Sequence, residues 1–163
     1  MEHIYNSPLG KILITYDETY ILGLCFDDES NKEQSAEHEY HPGTVISQCI
    51  AQLDEYFGGT RLTFNIATNP RGTDFQKSVW TALCTIRCGK TASYGQIAAQ
   101  IGSPRAARAV GMANNKNPIY IIIPCHRVVG ANGKLVGYGG GLWRKEWLLE
   151  HEAKTYKKLE GQL

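Results

Sequence analysis

The residues best equipped to do chemistry lie in one short run, Pro124-Cys125-His126-Arg127-Val128-Val129. A thiol beside an imidazole is the raw material of an activated nucleophile, because the imidazole takes the proton and leaves the reactive thiolate. The four residues ahead of it, Tyr120-Ile121-Ile122-Ile123, favour a strand, and Pro124 ends it because proline cannot donate to a sheet ladder. The pattern predicts a stiff, buried strand over 120–123 with Cys125 just past its end. A lone cysteine there is a packing residue; proline, histidine and arginine around it favour a reactive one.

Those residues need elements to bring a substrate to them. Upstream, Ser93-Tyr94-Gly95-Gln96 has the form of a capping box and opens a helix through about Ile101. Gly102-Ser103-Pro104 closes it and starts a second helix over 104–113, with Ser103 as N-cap and Pro104 at the first helical position. Two short helices across a tight turn make a helix-turn-helix. The second is rich in Ala and Gly, which let a helix approach a surface closely, and Arg105 and Arg108 supply charge for phosphates. Tight packing against a core is the competing reading of such a helix. Asn114 to Pro118 reads as a polar turn into the 120–123 segment. Downstream, Gly130 to Lys134 reads as a hairpin turn, and Gly137-Tyr138-Gly139-Gly140-Gly141 as a loop whose backbone can approach a ligand. A last helix begins near Leu142 with Trp143, Trp147, Leu148 and His151 on its buried side, and residues 153–163 form a basic, polar, fraying tail.

The first part of the chain carries no catalytic constellation, and its expected role is structural. Residues 1–28 read as an antiparallel β opening, with strand-like runs at 9–16 and 20–26 that place Cys25 in the core. Residues 27–43 read as an acidic surface loop; His38 and His41 in it lack the partners a metal site needs. Thr44 caps a helix to Phe57, stopped by Gly58-Gly59, and Leu62 to Ile66 reads as a further strand. Thr68 to Gly72 is the linker candidate. Past it, Thr73 or Asp74 caps a helix through about Arg87, with Phe75, Val79, Trp80 and Leu83 on its buried face and Gly89 as its C-cap. Cys84 and Cys88 lie one turn apart on that helix as packing residues.

At 163 residues the chain can form one ordinary domain or two small ones. Its net charge of +1 hides an asymmetry: residues 1–69 hold 3 Lys and Arg against 11 Asp and Glu, a balance of −8, and residues 70–163 hold 14 against 5, a balance of +9. A swing that large points to a polyanion such as nucleic acid as the partner of the basic part. The five cysteines include no CxxC pair and suit a reducing compartment. No signal-peptide pattern opens the chain and no apolar run reaches the roughly 20 residues of a membrane span, so the expectation is a cytoplasmic protein without membrane contact.

Tyr94, the run Ala106-Ala107-Arg108-Ala109-Val110-Gly111, Asn117-Pro118, the PCHRVV segment, and Gly140-Gly141-Leu142 leading to Lys145-Glu146-Trp147-Leu148-Leu149-Glu150-His151-Glu152 occur in this order. Together they closely resemble the O6-alkylguanine-DNA alkyltransferases of the stand-alone bacterial type, over the chain from about Thr73 to Glu152. The resemblance implies an α+β fold: a small N-terminal α/β, ribonuclease H-like domain over 1–69, then a mostly helical winged helix-turn-helix domain over 70–163. It implies double-stranded DNA containing O6-alkylguanine as partner, with O4-alkylthymine a further lesion, and a monomer in the absence of DNA. The damaged base must be flipped out of the duplex to react, at a few kcal/mol for unstacking.

The resemblance also assigns roles. The second helix, with Ala106, Ala107, Ala109 and Gly111, would lie in the minor groove, and Arg108 would fill the gap left by the flipped base. Tyr94 would crowd the 3′ phosphate and donate to N3 of the base. Cys125 would attack the alkyl carbon, His126 would draw off the thiol proton through a water, and Glu152 would orient His126. Asn117 would brace the turn, while Pro124, Val128, Tyr138 and Gly139 would line the pocket. Some relatives carry a serine where this chain has Gly139, so only backbone N–H is on offer there. A thioether has no easy leaving route, so each molecule reacts once, with no cofactor and no metal.

Three other readings compete. A cysteine hydrolase using Cys125 and His126 leaves the helix-turn-helix and the basic part unexplained. A non-enzymatic DNA-binding relative has no need of Cys125, and a methyl-responsive transcription factor would need an added metal-thiolate module.

Overall fold

The protein is described here from a computed structural model, in which residues 1–31, 33 and 40–161 are described. Strands β1 (Glu2–Ser7), β2 (Gly10–Tyr16) and β3 (Ile21–Phe26) form an antiparallel sheet in that order. The register pairs Ile4 with Leu13 and Ile14 with Leu24. Side chains alternate faces along a strand, so Ile12, Ile14 and Tyr16 of β2 are buried and the residues between them are half-buried. The same alternation buries Leu24 and turns Cys25 outward; Cys25 is exposed, not a core residue. Of the expected 27–43 loop, residues 32 and 34–39, and with them His38, lie outside the described residues. Among the described residues no group of His, Cys, Asp and Glu is arranged to hold a metal.

Helix α1 (Val45–Phe57) starts where the Thr44 hydroxyl accepts from Ser47 N, and it turns Val45, Ile46, Cys49, Leu53 and Tyr56 inward at helical spacing. The 62–66 segment that follows is not a strand. Gln52 of α1 satisfies its backbone instead, donating to Asn65 O at 3.0 Å and accepting from Asn65 N at 2.8 Å. Only Thr68 reaches the sheet, in an isolated bridge to Ile21.

Helix α2 (Asp74–Leu83) opens with a capping box between Thr73 and Gln76 and buries Val79, Trp80 and Leu83. It ends at Leu83, a turn earlier than the pattern suggested, because tighter bonds from Thr85 N to Ala82 O and Ile86 N to Leu83 O close it. Cys84 is consequently an exposed cap and Cys88 is buried beyond the helix end, while Phe75, in the first turn, lies on the exposed side and not on the buried face. Gly89, at φ 83°, therefore does not cap α2; a side chain there would strike Tyr156.

Strand β4 (Ala92–Ser93) leads into α3 (Tyr94–Gln100), again through a capping box, Ser93 with Gln96. Helix α4 (Ala107–Asn115) begins three residues later than expected. Ser103 O accepts from Ala106 N in a turn, and no side chain caps the helix. It also runs further, taking Asn114 and Asn115 out of the expected polar turn. Trp80 Nε1 donates to Ala113 O at 2.9 Å, fixing α4 on α2.

The 120–123 segment is a turn, not a strand. Asn117 Oδ1 accepts from Ile119 N at 2.9 Å and Asn117 Nδ2 donates to Ile123 O at 2.8 Å, so one side chain replaces the ladder. Ile121 sits at φ 71°, a left-handed conformation that a β-branched residue rarely adopts and that carries about 1–3 kcal/mol of strain. The turn docks on β3, where Leu24 N donates to Pro118 O at 2.9 Å and Tyr120 N to Leu24 O at 2.8 Å. A 3-10 turn, Cys125–Arg127, then leads to β5 (Val128–Val129), which pairs parallel with β4. Gly130 to Lys134 does form a tight turn, closed by Gly130 N to Lys134 O, but β5 pairs backward to β4 and not across it.

Helix α5 (Leu142–Glu160) contains most of the expected tail: Thr155 is buried, its hydroxyl bonds to His151 O, and Lys90 sits over the Tyr156 ring. Its inner face differs from the expected one. Trp143 is 56% exposed, and the buried positions are Arg144, Lys145, Leu148, Glu152 and Thr155. Arg144 belongs inside because it has partners there, donating to Leu9 O and Gly140 O and pairing with Asp28. Among the described residues no helix is long and apolar enough to cross a membrane.

Candidate active site

Cys125 is 2% exposed, and His126 and Glu152 are wholly buried. Residues 117–124 hold Cys125 through the Asn117 bonds, and α5 delivers Glu152. His126 Nε2 lies 2.6 Å from Glu152 Oε1. Arg127 donates to the same carboxylate twice, from Nε to Oε2 at 2.8 Å and from Nη2 to Oε1 at 3.0 Å, and its Nη1 donates to Ile86 O at 2.6 Å. Tyr56 Oη, from α1, donates to Glu152 Oε1 at 2.8 Å. Burial alone would raise the Glu152 carboxyl, but His126 and Arg127 hold it well below the usual carboxylate range. An ionised carboxylate only accepts, so His126 Nε2 donates to it, and in the neutral form of the ring the free lone pair is then on Nδ1. Among the described residues Nδ1 has no hydrogen-bond partner, although it is buried.

Burial pushes the Cys125 thiol up to about 11, against the pull of Asn117 and the Lys145 ammonium. At neutral pH it is a thiol, and it needs a base to become a nucleophile. Lys145, wholly buried, donates to Val136 O at 2.9 Å and Gly137 O at 3.1 Å; burial lowers it to about 8, with Cys125 opposing. It therefore ties the Gly-rich loop to the helix that carries Glu152. Tyr94 lies between α4 and that loop: its hydroxyl donates to Val136 O at 3.0 Å and its ring lies 3.7 Å from where a side chain on Gly111 would begin. The Tyr138 ring packs at a tilt against Tyr120, centroids 5.4 Å apart, and its buried hydroxyl has no hydrogen-bond partner among the described residues. A side chain at Gly139 would collide with the Tyr120 hydroxyl, which occupies the space beside the loop.

The structure thus brings Cys125, His126, Glu152, Asn117, Tyr94 and Tyr138 to one place. Val128 is fully buried and pairs with Ala92 of β4, the strand that leads into Tyr94 at the start of α3. Pro124 lines a separate cleft of about 550 Å³ with Ile122, Arg127 and Cys88, which includes neither Cys125 nor Tyr94. On α4, Arg108 and Ala109 are exposed, Ala106, Ala107 and Gly111 are half-buried, and Met112 is 67% exposed, one turn beyond Arg108.

Three participants escaped the sequence. Asn114 is buried and donates to Cys125 O at 3.3 Å, which connects α4 directly to the thiol's residue. Its signal was present: Val110, Ala113, Asn114 and Asn117 continue one helical face. Arg127 sits between buried residues, and such a charge requires a buried partner. Tyr56 carried the only hydroxyl on the apolar face of α1.

Two family models match the chain: the ribonuclease-like domain of 6-O-methylguanine DNA methyltransferase over residues 1–70 and its DNA binding domain over residues 74–154. The methylated-DNA–protein-cysteine methyltransferase of Methanosarcina mazei is 48% identical over 155 residues, covering 95% of this chain and 98% of its own. That of Mycobacterium bovis is 48% identical over 147 residues, covering 90% of this chain and 88% of its own. The crystal structure of Mycobacterium tuberculosis OGT in complex with DNA superposes with a TM-score of 0.82 at 46% identity, covering 94% of this chain and 93% of that one.

Proposed function

The chain belongs to the 6-O-methylguanine DNA methyltransferase family, and from that premise we propose that Cys125 is the atom-accepting residue of a direct-reversal DNA repair protein. DNA is its partner, and its activity is transfer of an alkyl group from damaged DNA to a cysteine of the protein. The substrate is O6-alkylguanine flipped out of the duplex. The Cys125 sulfur attacks the alkyl carbon, the S–C bond forms as the C–O6 bond breaks, and guanine leaves with its oxygen restored. The proton that Cys125 gives up passes through a water to His126 Nδ1 and balances the one guanine takes. Glu152 fixes the imidazole tautomer, the third role in a nucleophile, base and orienter arrangement. The observation that carries this reading is the 2.6 Å pair of His126 Nε2 with Glu152, directly after Cys125.

Helix α4 lies in the minor groove with Arg108 in the gap left by the base, and Tyr94 donates to N3. Asn114 reports that docking to Cys125 through its carbonyl. The chain divides near residue 70 into a supporting domain and a reacting one. It works as a cytoplasmic monomer until it meets DNA, reacts once, and needs no cofactor.

The test is intact-mass measurement after incubation with a duplex carrying one O6-methylguanine. The expected result is one methyl per protein, mapped to Cys125 and absent in Cys125→Ser. A methyl on another residue, or repeated turnover, would contradict it.

A further inference from the structure

Glu152 Oε1 receives three donors: His126 Nε2 at 2.6 Å, Arg127 Nη2 at 3.0 Å and Tyr56 Oη at 2.8 Å. The first two come from the reacting turn itself. The third crosses from α1, ninety-six positions away in sequence, in the domain with no catalytic constellation of its own. Tyr56 is itself held on several sides. Its ring meets Phe64 at 5.3 Å and His151 at 5.4 Å, and its carbonyl accepts from His151 Nε2 at 2.6 Å. The hydroxyl is therefore fixed in place and aimed at one oxygen, the same one that holds the imidazole.

We propose that Tyr56 is a positioning residue of the reaction, acting through Glu152 to set how strongly the His126–Glu152 pair holds a proton; this rests on the alkyl-transfer reading above. A donor on Oε1 competes with the imidazole for the carboxylate's charge. With the hydroxyl present, the pair releases its proton more readily and the ring stands ready as a base. Without it, the carboxylate draws harder on the imidazole, and the pair keeps a proton to higher pH. The other titratable and charged groups around this carboxylate are Arg127, which pairs with it, Cys88 beside Arg127, Tyr138 across the site, and His151 one residue back on α5. None of them donates to Oε1 except Arg127, whose charge does not titrate in the working range.

The experiment compares single-turnover methyl uptake from an O6-methylguanine duplex, across pH 5 to 9, in the wild type, Tyr56→Phe and Tyr5→Phe. Tyr5 is the matched control: a buried tyrosine whose hydroxyl donates to Asp54 of the same helix α1 at 2.7 Å, without contact to Glu152. Tyr56→Phe is expected to slow uptake about tenfold at neutral pH, leave the affinity for lesion DNA unchanged, and move the acid limb of the profile up by about half a pH unit. Tyr5→Phe is expected to lower stability alone. Should Tyr56→Phe fail to fold, 3,5-difluorotyrosine at position 56, a better donor of the same shape, is expected to move the acid limb down. A Tyr56 variant with the wild-type profile and only a lowered Tm would overturn the proposal. A wild type that takes up no methyl would instead overturn the alkyl-transfer reading itself.

Discussion

On the Glu152 side of His126 the carboxylate collects donors from His126, Arg127 and Tyr56, and Arg127 also donates from Nη1 to Ile86 O. On the Cys125 side three buried atoms have no partner among the described residues, namely His126 Nδ1, Tyr138 Oη and Asn114 Oδ1. The great majority of buried polar atoms in proteins are paired, and an exception calls for a strained, catalytic or solvent-bridged explanation. The difference separates a half of the site whose polar atoms are satisfied by the protein from a half that leaves polar atoms open to water or substrate. The satisfied half draws on both domains, since α1, α5 and the reacting turn all meet at Glu152.

The comparison breaks most visibly at its saturated side. Glu152→Gln leaves Arg127 buried without its counter-charge, at about 3–5 kcal/mol, and removes the orienter of His126. Denaturant unfolding is expected to show that loss, and single-turnover uptake is expected to fall at least a hundredfold. The sign of its pH dependence follows from the carboxyl being held low. Such a group adds stability at pH above the ordinary glutamate value of about 4.3 and loses it as pH falls below. Wild-type stability should therefore drop in acid more steeply than that of Glu152→Gln.

The open side yields a smaller effect. Lys145, lowered to about 8, holds the Gly-rich loop as a cation near a thiol raised to about 11. Uptake in the wild type should fall above pH 8 as the ammonium loses its proton. In Lys145→Met the rate at neutral pH should be about tenfold lower, and the profile should climb through pH 8 as thiolate grows. A variant that keeps the wild-type alkaline limb would separate Lys145 from the site.

Smallest is the change at Gly139. A serine there displaces the Tyr120 ring from its place beside Tyr138, at about 1–3 kcal/mol of overpacking. Competition between O6-benzylguanine and O6-methylguanine duplexes should show the benzyl-to-methyl rate ratio rising by less than tenfold. An unchanged ratio would mean that Tyr120 does not bound the pocket.

Much of this was legible in the residues. A cap at Thr73 or Asp74, the capping box at Ser93 and the Gly58-Gly59 stop set helix ends by local chemistry, and the motif order marked Cys125, His126 and Glu152. Three of the failures share a cause: partners outside the segment overrode its own preference. Tyr120 to Ile123 has strand composition, but Asn117 and β3 fold it into a turn with Ile121 at positive φ. Leu62 to Ile66 gives its backbone to Gln52 in place of a ladder. On α5 the charged residues face inward and Trp143 outward, because Asp28, the loop carbonyls and the His126–Arg127 turn supply partners that no periodicity reveals.

The most direct measurement is the tautomer of His126, read from the ring nitrogens by NMR of histidine-labelled protein near neutral pH and assigned against His126→Gln. The structure predicts the proton on Nε2, bound to Glu152, and a bare Nδ1 left to act as the base. A proton found on Nδ1 would contradict the division of the site into a satisfied half and a reacting one.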